Sequence, residues 1–287
     1  MKQIIQNQRF EEERALYALR DAEISGCTFE GEEDGESALK ECRHVKLHNC
    51  RFALRYPLWH SVDFLLSDCH MTETVRAPIW YASMGTVRHC RLDAPKALRE
   101  CEDTLIEGSV IRSSEFGWRC RGVQVRSTGI ESDYLFFEAR DLEINGLRMR
   151  GKYSFQYVEN ALIENSILDT KDALWHAKNV TVRGCEIASE YLGWYSDGLT
   201  LIDCRIIGTQ PLCYCRNLRL IDCTMEQCDL AFEYSDVDAT VTGSVDSVKN
   251  PRSGRILAER IGEIIREGSV METDCIIEIY EKKGDQS

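Results

Sequence analysis

Seven cysteines fall at near-regular intervals along this chain: Cys27, Cys50, Cys69 and Cys90, then Cys185, Cys204 and Cys223. Stepping by 19 residues from Cys90 gives Ser109, Thr128, Leu147, Ser166 and then Cys185, so small or apolar residues carry the same repeat across the gap. A repeat this short constrains the fold more than any composition does, because one unit cannot enclose a core and must stack on its copies. Twelve units align, anchored at residues 27, 50, 69, 90, 109, 128, 147, 166, 185, 204, 223 and 244. Three positions before the anchor, from Ile24 and Leu47 to Leu220 and Val241, every unit is aliphatic. Two positions after it, Phe29, Phe52, Met71 and their successors to Met225 are apolar, and only Asp246 breaks the column.

Between these columns the residues are mixed and often charged, as in VTVRGCEI, so the local period is 2 and the segments read as strands. The residue just before the anchor is Gly26, Asn49, Asp68, His89, Gly108, Ser127, Gly146, Asn165, Gly184, Asp203, Asp222 or Gly243. Gly, Asn and Asp tolerate positive φ, so this column predicts a bend between two strands. A second bend is expected six before the anchor, where Asp21, Asp63, Asp103, Gly122, Asp141, Asn160, Asn179, Gly198, Asn217 and Asp238 stand.

Three strands per unit and no helix lead to an all-β, single-stranded parallel β-helix of about twelve coils, right-handed by the crossover rule. The leucine-rich-repeat pattern, the nearest competitor, is absent. One domain is expected over residues 1–287, with coils over 15–246 and caps over 1–14 and 247–287 to protect the end strands. Within the second cap, GRILAERIGEII is ambiguous between helix and strand, and Cys275 to Tyr280 reads as a strand.

Charge narrows the function. Forty-eight acidic against 35 basic residues give a net of −13, which argues against nucleic acid and anionic membranes as partners. No apolar run approaches membrane-spanning length, and MKQIIQNQRFEEER lacks a signal-peptide core, so a soluble cytoplasmic protein is expected. Cys213 and Cys215 form C-x-C, no second pair stands at zinc spacing, and no nucleotide-binding or serine-hydrolase motif occurs, so neither metal nor cofactor is expected. The 14 cysteines read as buried thiols packing as small hydrophobes.

The unit pattern resembles the pectin-lyase-like right-handed β-helices. More specifically, DGESALKEC, KALREC, KDALWHAKNVTV, EYLGWYSD, PLCY and DLAFEYS resemble a bacterial family of uncharacterised β-helix proteins, a domain of unknown function. The resemblance spans nearly the whole chain and implies the fold; it supplies no reaction. The polygalacturonase signatures of the wider group are absent, and no acidic cluster like that of the calcium-binding pectate lyases stands out.

All five tryptophans lie in one column, ten before the anchor: Trp59, Trp80, Trp118, Trp175 and Trp194, with Arg99 and Phe137 between them and Tyr214 at a one-residue offset. Two readings stay open. Small residues two positions on (Ser61, Ala82, Cys101, Cys120) favour an interior aromatic ladder by strand alternation; Lys40 and Arg99 in the same column favour an exposed platform on which sugar rings stack. The adjacent column, nine before the anchor, holds His60, Tyr81, Glu100, Arg119, Glu138, His176 and Tyr195. These are residue types for acid–base work and polar contacts to a polysaccharide, while alternating Glu100, Arg119 and Glu138 fit a solvated ion-pair ladder equally well.

The leading expectation is therefore a protein that binds or processes a carbohydrate along one sheet face, with Trp59, Trp80, Arg99, Trp118, Trp175, Trp194, Tyr195 and Tyr214 binding it. If it is an enzyme, a hydrolase or lyase is expected, with Glu100 and Glu138 as acid and base, Arg119 on an anionic group and His176 orienting the substrate. The alternatives are a non-catalytic scaffold that docks a protein, a homo-oligomer built through that face, and a sugar epimerase or isomerase.

Overall fold

The computed structural model describes residues 2–31 and 36–280 of the chain; Asp34 and Gly35 of the DGESALKEC segment and residues 281–287 of the expected C-terminal cap lie outside them. The chain divides into two compact units, Met1–Gly151 and Lys152–Ser287. Each is a parallel β-solenoid, and together they make about 14 turns.

In the first unit one sheet stacks Gln3–Gln6, Arg20–Ser25, Arg43–His48, Val62–Ser67, Ser83–Arg88, Leu105–Glu107, Gln124–Arg126 and Arg140–Asn145 in parallel. The register puts Ile24, Leu47, Leu66, Val87, Ile106, Val125 and Ile144 above one another. All are buried, as is the second apolar column. There Phe10, Phe29 and Phe52 stack with ring centroids 5.1 and 4.7 Å apart. A third sheet of Ile79–Trp80, Leu98–Arg99, Glu115–Trp118 and Tyr134–Leu135 closes the turns. The second unit repeats the plan, with Val180, Leu199 and Val182, Leu201 in register on Lys178–Arg183 and Asp197–Ile202.

The anchor column has a physical purpose beyond small size. The backbone N–H of Cys50 donates to Cys69 Sγ at 3.5 Å, that of Cys69 to Cys90 Sγ at 3.4 Å and that of Cys90 to Ser109 Oγ at 3.1 Å. In these rows the anchor side chain caps the amide of the coil before it, which is why Cys, Ser and Thr interchange there. The residue before it sits at the expected bend, with φ of 50° at Asn49, 54° at Asp68 and 50° at Asp203. Asp203 and Asp222 (φ 53°) are therefore turn residues, and the six-before column bends likewise at Asp63, Asn179 and Gly198.

The turn count corrects the expected twelve. Gln3–Gln6 and Arg9–Phe10 pair with Arg20–Ser25 and Thr28–Phe29, so the stretch expected as an N-terminal cap makes a turn of its own. Ile5 and Phe10 occupy the apolar columns there, and Gln8 replaces the small anchor, which hid the unit. Gln8 N–H still donates to Cys27 Sγ at 3.4 Å. At the other end Asp236–Lys249 pairs with Ser253–Ile265, which pairs with Ile276–Ile279. GRILAERIGEII is thus strand: Ile256 and Ala258 are buried two apart, whereas Ile264 is exposed.

Candidate functional site

The third corner of each turn decides where the aromatic column points. The residue nine before the anchor adopts left-handed backbone in coil after coil: His60 (φ 56°), Tyr81 (57°), Glu100 (49°), Arg119 (53°) and Glu138 (55°), then His176 (54°) and Tyr195 (61°). A left-handed residue interrupts the two-residue alternation of a strand. Both the Trp column and its neighbour consequently face outward, while Ser61, Ala82, Cys101, Cys120 and Ala139 on one side and Leu58, Ile79 and Leu98 on the other fill the interior. The tryptophans are half-buried and the interior-ladder alternative is not realised.

In the first unit Trp59 and Trp80 stack at 5.4 Å with planes 3° apart. Arg99 continues the stack, its guanidinium 5.0 Å from the Trp80 ring and 5.2 Å from Trp118, and Phe137 follows Trp118 at 5.1 Å. In the second unit Trp175 and Trp194 stack at 5.5 Å and 6°. Because rings meet face to face along each stack, they present their edges outward. Each indole N–H is tied to a backbone carbonyl further along the chain: Trp59 to Ala77 at 2.7 Å, Trp80 to Lys96 at 2.7 Å, Trp118 to Tyr134 at 3.1 Å, Trp175 to Tyr191 at 2.7 Å and Trp194 to Gln210 at 2.7 Å. The column therefore fastens the loop that follows each corner.

The neighbouring column holds the residues expected for catalysis. Glu100, Arg119 and Glu138 stand on consecutive coils of the first unit. Arg119 Nε donates to Glu138 Oε2 at 2.7 Å, and Glu138, then the charge of Glu100, holds the guanidinium pKa up. The bond ties Glu138 to its neighbour one coil away, as a solvated ion-pair ladder requires. His176 lies in the second unit, stacked between Tyr157 at 4.8 Å and Tyr195 at 5.1 Å, with Tyr214 next at 4.8 Å. Burial lowers the His176 pKa and pushes the Tyr214 hydroxyl up to about 12. The four expected catalytic residues thus divide as a group of three in the first unit and His176 among tyrosines in the second.

The Trp59–Trp80 edge also borders a depression of about 250 Å³ in the first unit, walled by Tyr56, Ala77 and Pro95 with Arg76 and Lys96 at its rim. Tyr56 leans on Trp59 at 4.8 Å, and Lys96 pairs with Glu115 at 3.2 Å. Arg76 is exposed and has no side-chain partner among the described residues. Sequence reasoning missed Tyr56, Arg76 and Lys96. The signal for Tyr56 and Lys96 is a column thirteen before the anchor, where Tyr56, Ala77 and Lys96 all bend at φ of 46–55°; Arg76 stands one position before it.

A family model matches residues 3–278 of the chain. The protein belongs to that family, the proteins of unknown function DUF3737. A search of curated proteins finds no match for this DUF3737 member. Among solved structures it is similar to PfbA, a surface adhesin of Streptococcus pneumoniae, at 11% identity over 81% of this chain and 75% of that one, with a TM-score of 0.43. It is also similar to a double-mutant tailspike protein of E. coli bacteriophage HK620, at 9% identity over 90% of this chain and 62% of that one, TM-score 0.45. A third similarity is to the A-module of the Azotobacter vinelandii mannuronan C-5 epimerase AlgE6, at 9% identity over 88% of this chain and 76% of that one, TM-score 0.36.

Proposed function

We propose that this DUF3737 protein binds a carbohydrate at the outward aromatic corner of its first unit, with the depression beside Trp59 and Trp80 as the anchoring subsite. The carrying observation is that depression: apolar ring edges on its walls and an uncommitted guanidinium, Arg76, at its rim. Sugar recognition needs this pairing, since a pyranose offers C–H patches to apolar surface and hydroxyls to fixed polar groups. Tyr56 and Trp59 are locked by packing and Trp59 by its bond to Ala77, so little side-chain entropy remains to be lost on binding. Arg99, Trp118 and the Glu100–Arg119–Glu138 ladder extend the same face over the following coils and supply polar contacts to further sugar residues.

The test is a glycan array probed with wild type and Arg76→Ala. Because the exposed Arg76 side chain makes no hydrogen bond or ion pair among the described residues, the variant is expected to fold normally; the reading requires a defined set of glycans whose signal drops at least tenfold in it. An array with no bound glycan, or one on which both proteins score alike, removes the reading.

A further inference from the structure

The last turn of the second unit leaves its apolar columns open. Three of them run in register through the final coils: Ala239, Ile256 and Ile277; Val241, Ala258 and Ile279; and Val248 with Ile264. Ala239, Val241, Val248, Ile256 and Ala258 are buried, but the final member of each column is not: Ile279 is 59% exposed, Ile264 43%, and Ile277 is half-buried. The segment joining the last two strands adds exposed Val270 and Met271. The seven residues that follow Tyr280, EKKGDQS, contain no apolar side chain to complete the columns. Large apolar side chains concentrated in one turn mark an interaction surface, whereas scattered ones do not.

The backbone of Ile276–Ile279 specifies what fits there. On one side it pairs in parallel with Ser253–Ile265; on the other, among the described residues, it pairs with nothing. Asp274 N–H donates to the Arg252 carbonyl at 2.9 Å and Tyr280 N–H to the Ala258 carbonyl at 3.0 Å. Even-numbered residues are therefore the ones that bond to Ser253–Ile265. In a strand, the N–H and C=O of successive residues point to opposite sides, so Ile277 and Ile279 turn both groups to the open edge. An antiparallel neighbour must offer residues that exchange both bonds with these two, and the same strand in a second copy offers Ile279 and Ile277.

We propose that this C-terminal turn is a dimerisation surface, on which a second copy of the chain lies antiparallel about a two-fold axis through Glu278. Ile277 of each copy stands opposite Ile279 of the other, as hydrogen-bonded pairs that also cover the open columns. Ile276, on the outer face, stands opposite Tyr280. Glu278 meets its own symmetry mate, and like charges directly opposite are unfavourable. Each Glu278, however, accepts from Arg255 Nε at 3.1 Å, so two carboxylates enter with two guanidiniums and the charges balance. A two-fold contact closes on itself, which uses up the edge instead of extending it into a fibre. The surface shares no residue with the aromatic corner of the first unit, and the inference does not depend on the carbohydrate reading.

The experiment is sedimentation velocity on the full chain from low micromolar to several hundred micromolar, for wild type, Ile279→Pro, Ile279→Lys and Val110→Lys. Proline at 279 removes an N–H at the open edge without removing a bond to Ser253–Ile265. Lysine there keeps the N–H and replaces the apolar contact, which guards against a proline variant that fails to fold. Val110 is an exposed valine of the first unit and serves as the control. Wild type is expected to dimerise, with the dissociation constant weakened at least tenfold in both Ile279 variants and unchanged in Val110→Lys. A wild type that stays monomeric at every concentration overturns the proposal, as does a dimer that both Ile279 variants keep at wild-type affinity. Loss in Ile279→Lys with none in a folded Ile279→Pro overturns the strand pairing, and species growing beyond the dimer overturn the two-fold.

Discussion

The guanidinium of Arg99 lies between two indoles, 5.0 Å from the Trp80 ring and 5.2 Å from that of Trp118. A charge that stands out in an aromatic column is thus a planar rung of it, held by the electron-rich ring faces, which for partly buried cations contribute about 1–2 kcal/mol. Arg99→Ala is expected to lower the stability of the folded state by about 1–2 kcal/mol. Lysine at this position, lacking the planar fork, restores less than half of that. Urea unfolding followed by tryptophan fluorescence measures both; equal stability of wild type and Arg99→Ala contradicts the sandwich as a stabilising element.

The cysteine ladder makes a second prediction. All 14 thiols are buried and unoxidised, and burial pushes the Cys120 thiol well above its ordinary pKa and Cys215 up to about 12. Native protein should therefore resist a thiol-specific disulfide reagent at pH 8 and react fully once unfolded. Cys69→Ser, which keeps an acceptor for the Cys50 amide, should cost less than about 1 kcal/mol, and Cys69→Val more, because the buried N–H then loses its partner. Rapid titration of several thiols in the native state counters this account.

His176 should make the second unit sensitive to pH. Burial lowers its folded-state pKa below the unfolded value of about 6.5, so the unfolded chain binds the proton more readily. The neutral imidazole contributes fully above that pH, and stability falls as pH drops from about 6.5 towards the lowered folded pKa. His176→Phe keeps a flat ring between Tyr157 and Tyr195 and should flatten this part of the profile. Melting temperatures at pH 5.5 and pH 8 check it: the wild-type difference should exceed that of the variant.

Exposed ion pairs in the ladder should matter little to stability. Glu138→Gln removes the partner of Arg119, both side chains being 40% or more exposed, and is expected to change stability by less than about 1 kcal/mol. Thermal unfolding at low and at 0.5 M salt tests this; a larger, salt-insensitive loss contradicts a solvated pair.

The columns of the solenoid were legible because each imposes one physical demand on every coil: an acceptor at Cys69, an aliphatic at Leu66, a bend at Asp68. The orientation of Trp59 and Trp80 was not, because it depends on left-handed backbone at His60 and Tyr81, residue types that do not advertise it. Period-2 reasoning then fails at that corner. The N-terminal turn was hidden by a single residue, Gln8, although Ile5 and Phe10 obey the pattern.

The most direct measurement is an indole ¹⁵N–¹H spectrum of the protein titrated with the glycan that scores highest on the array. Five indole signals are expected, one for each tryptophan. The account predicts that the Trp59 and Trp80 signals, assigned by Trp→Phe variants, shift in a saturable manner while those of Trp175 and Trp194 stay in place. Saturable binding that leaves Trp59 and Trp80 unmoved would contradict it.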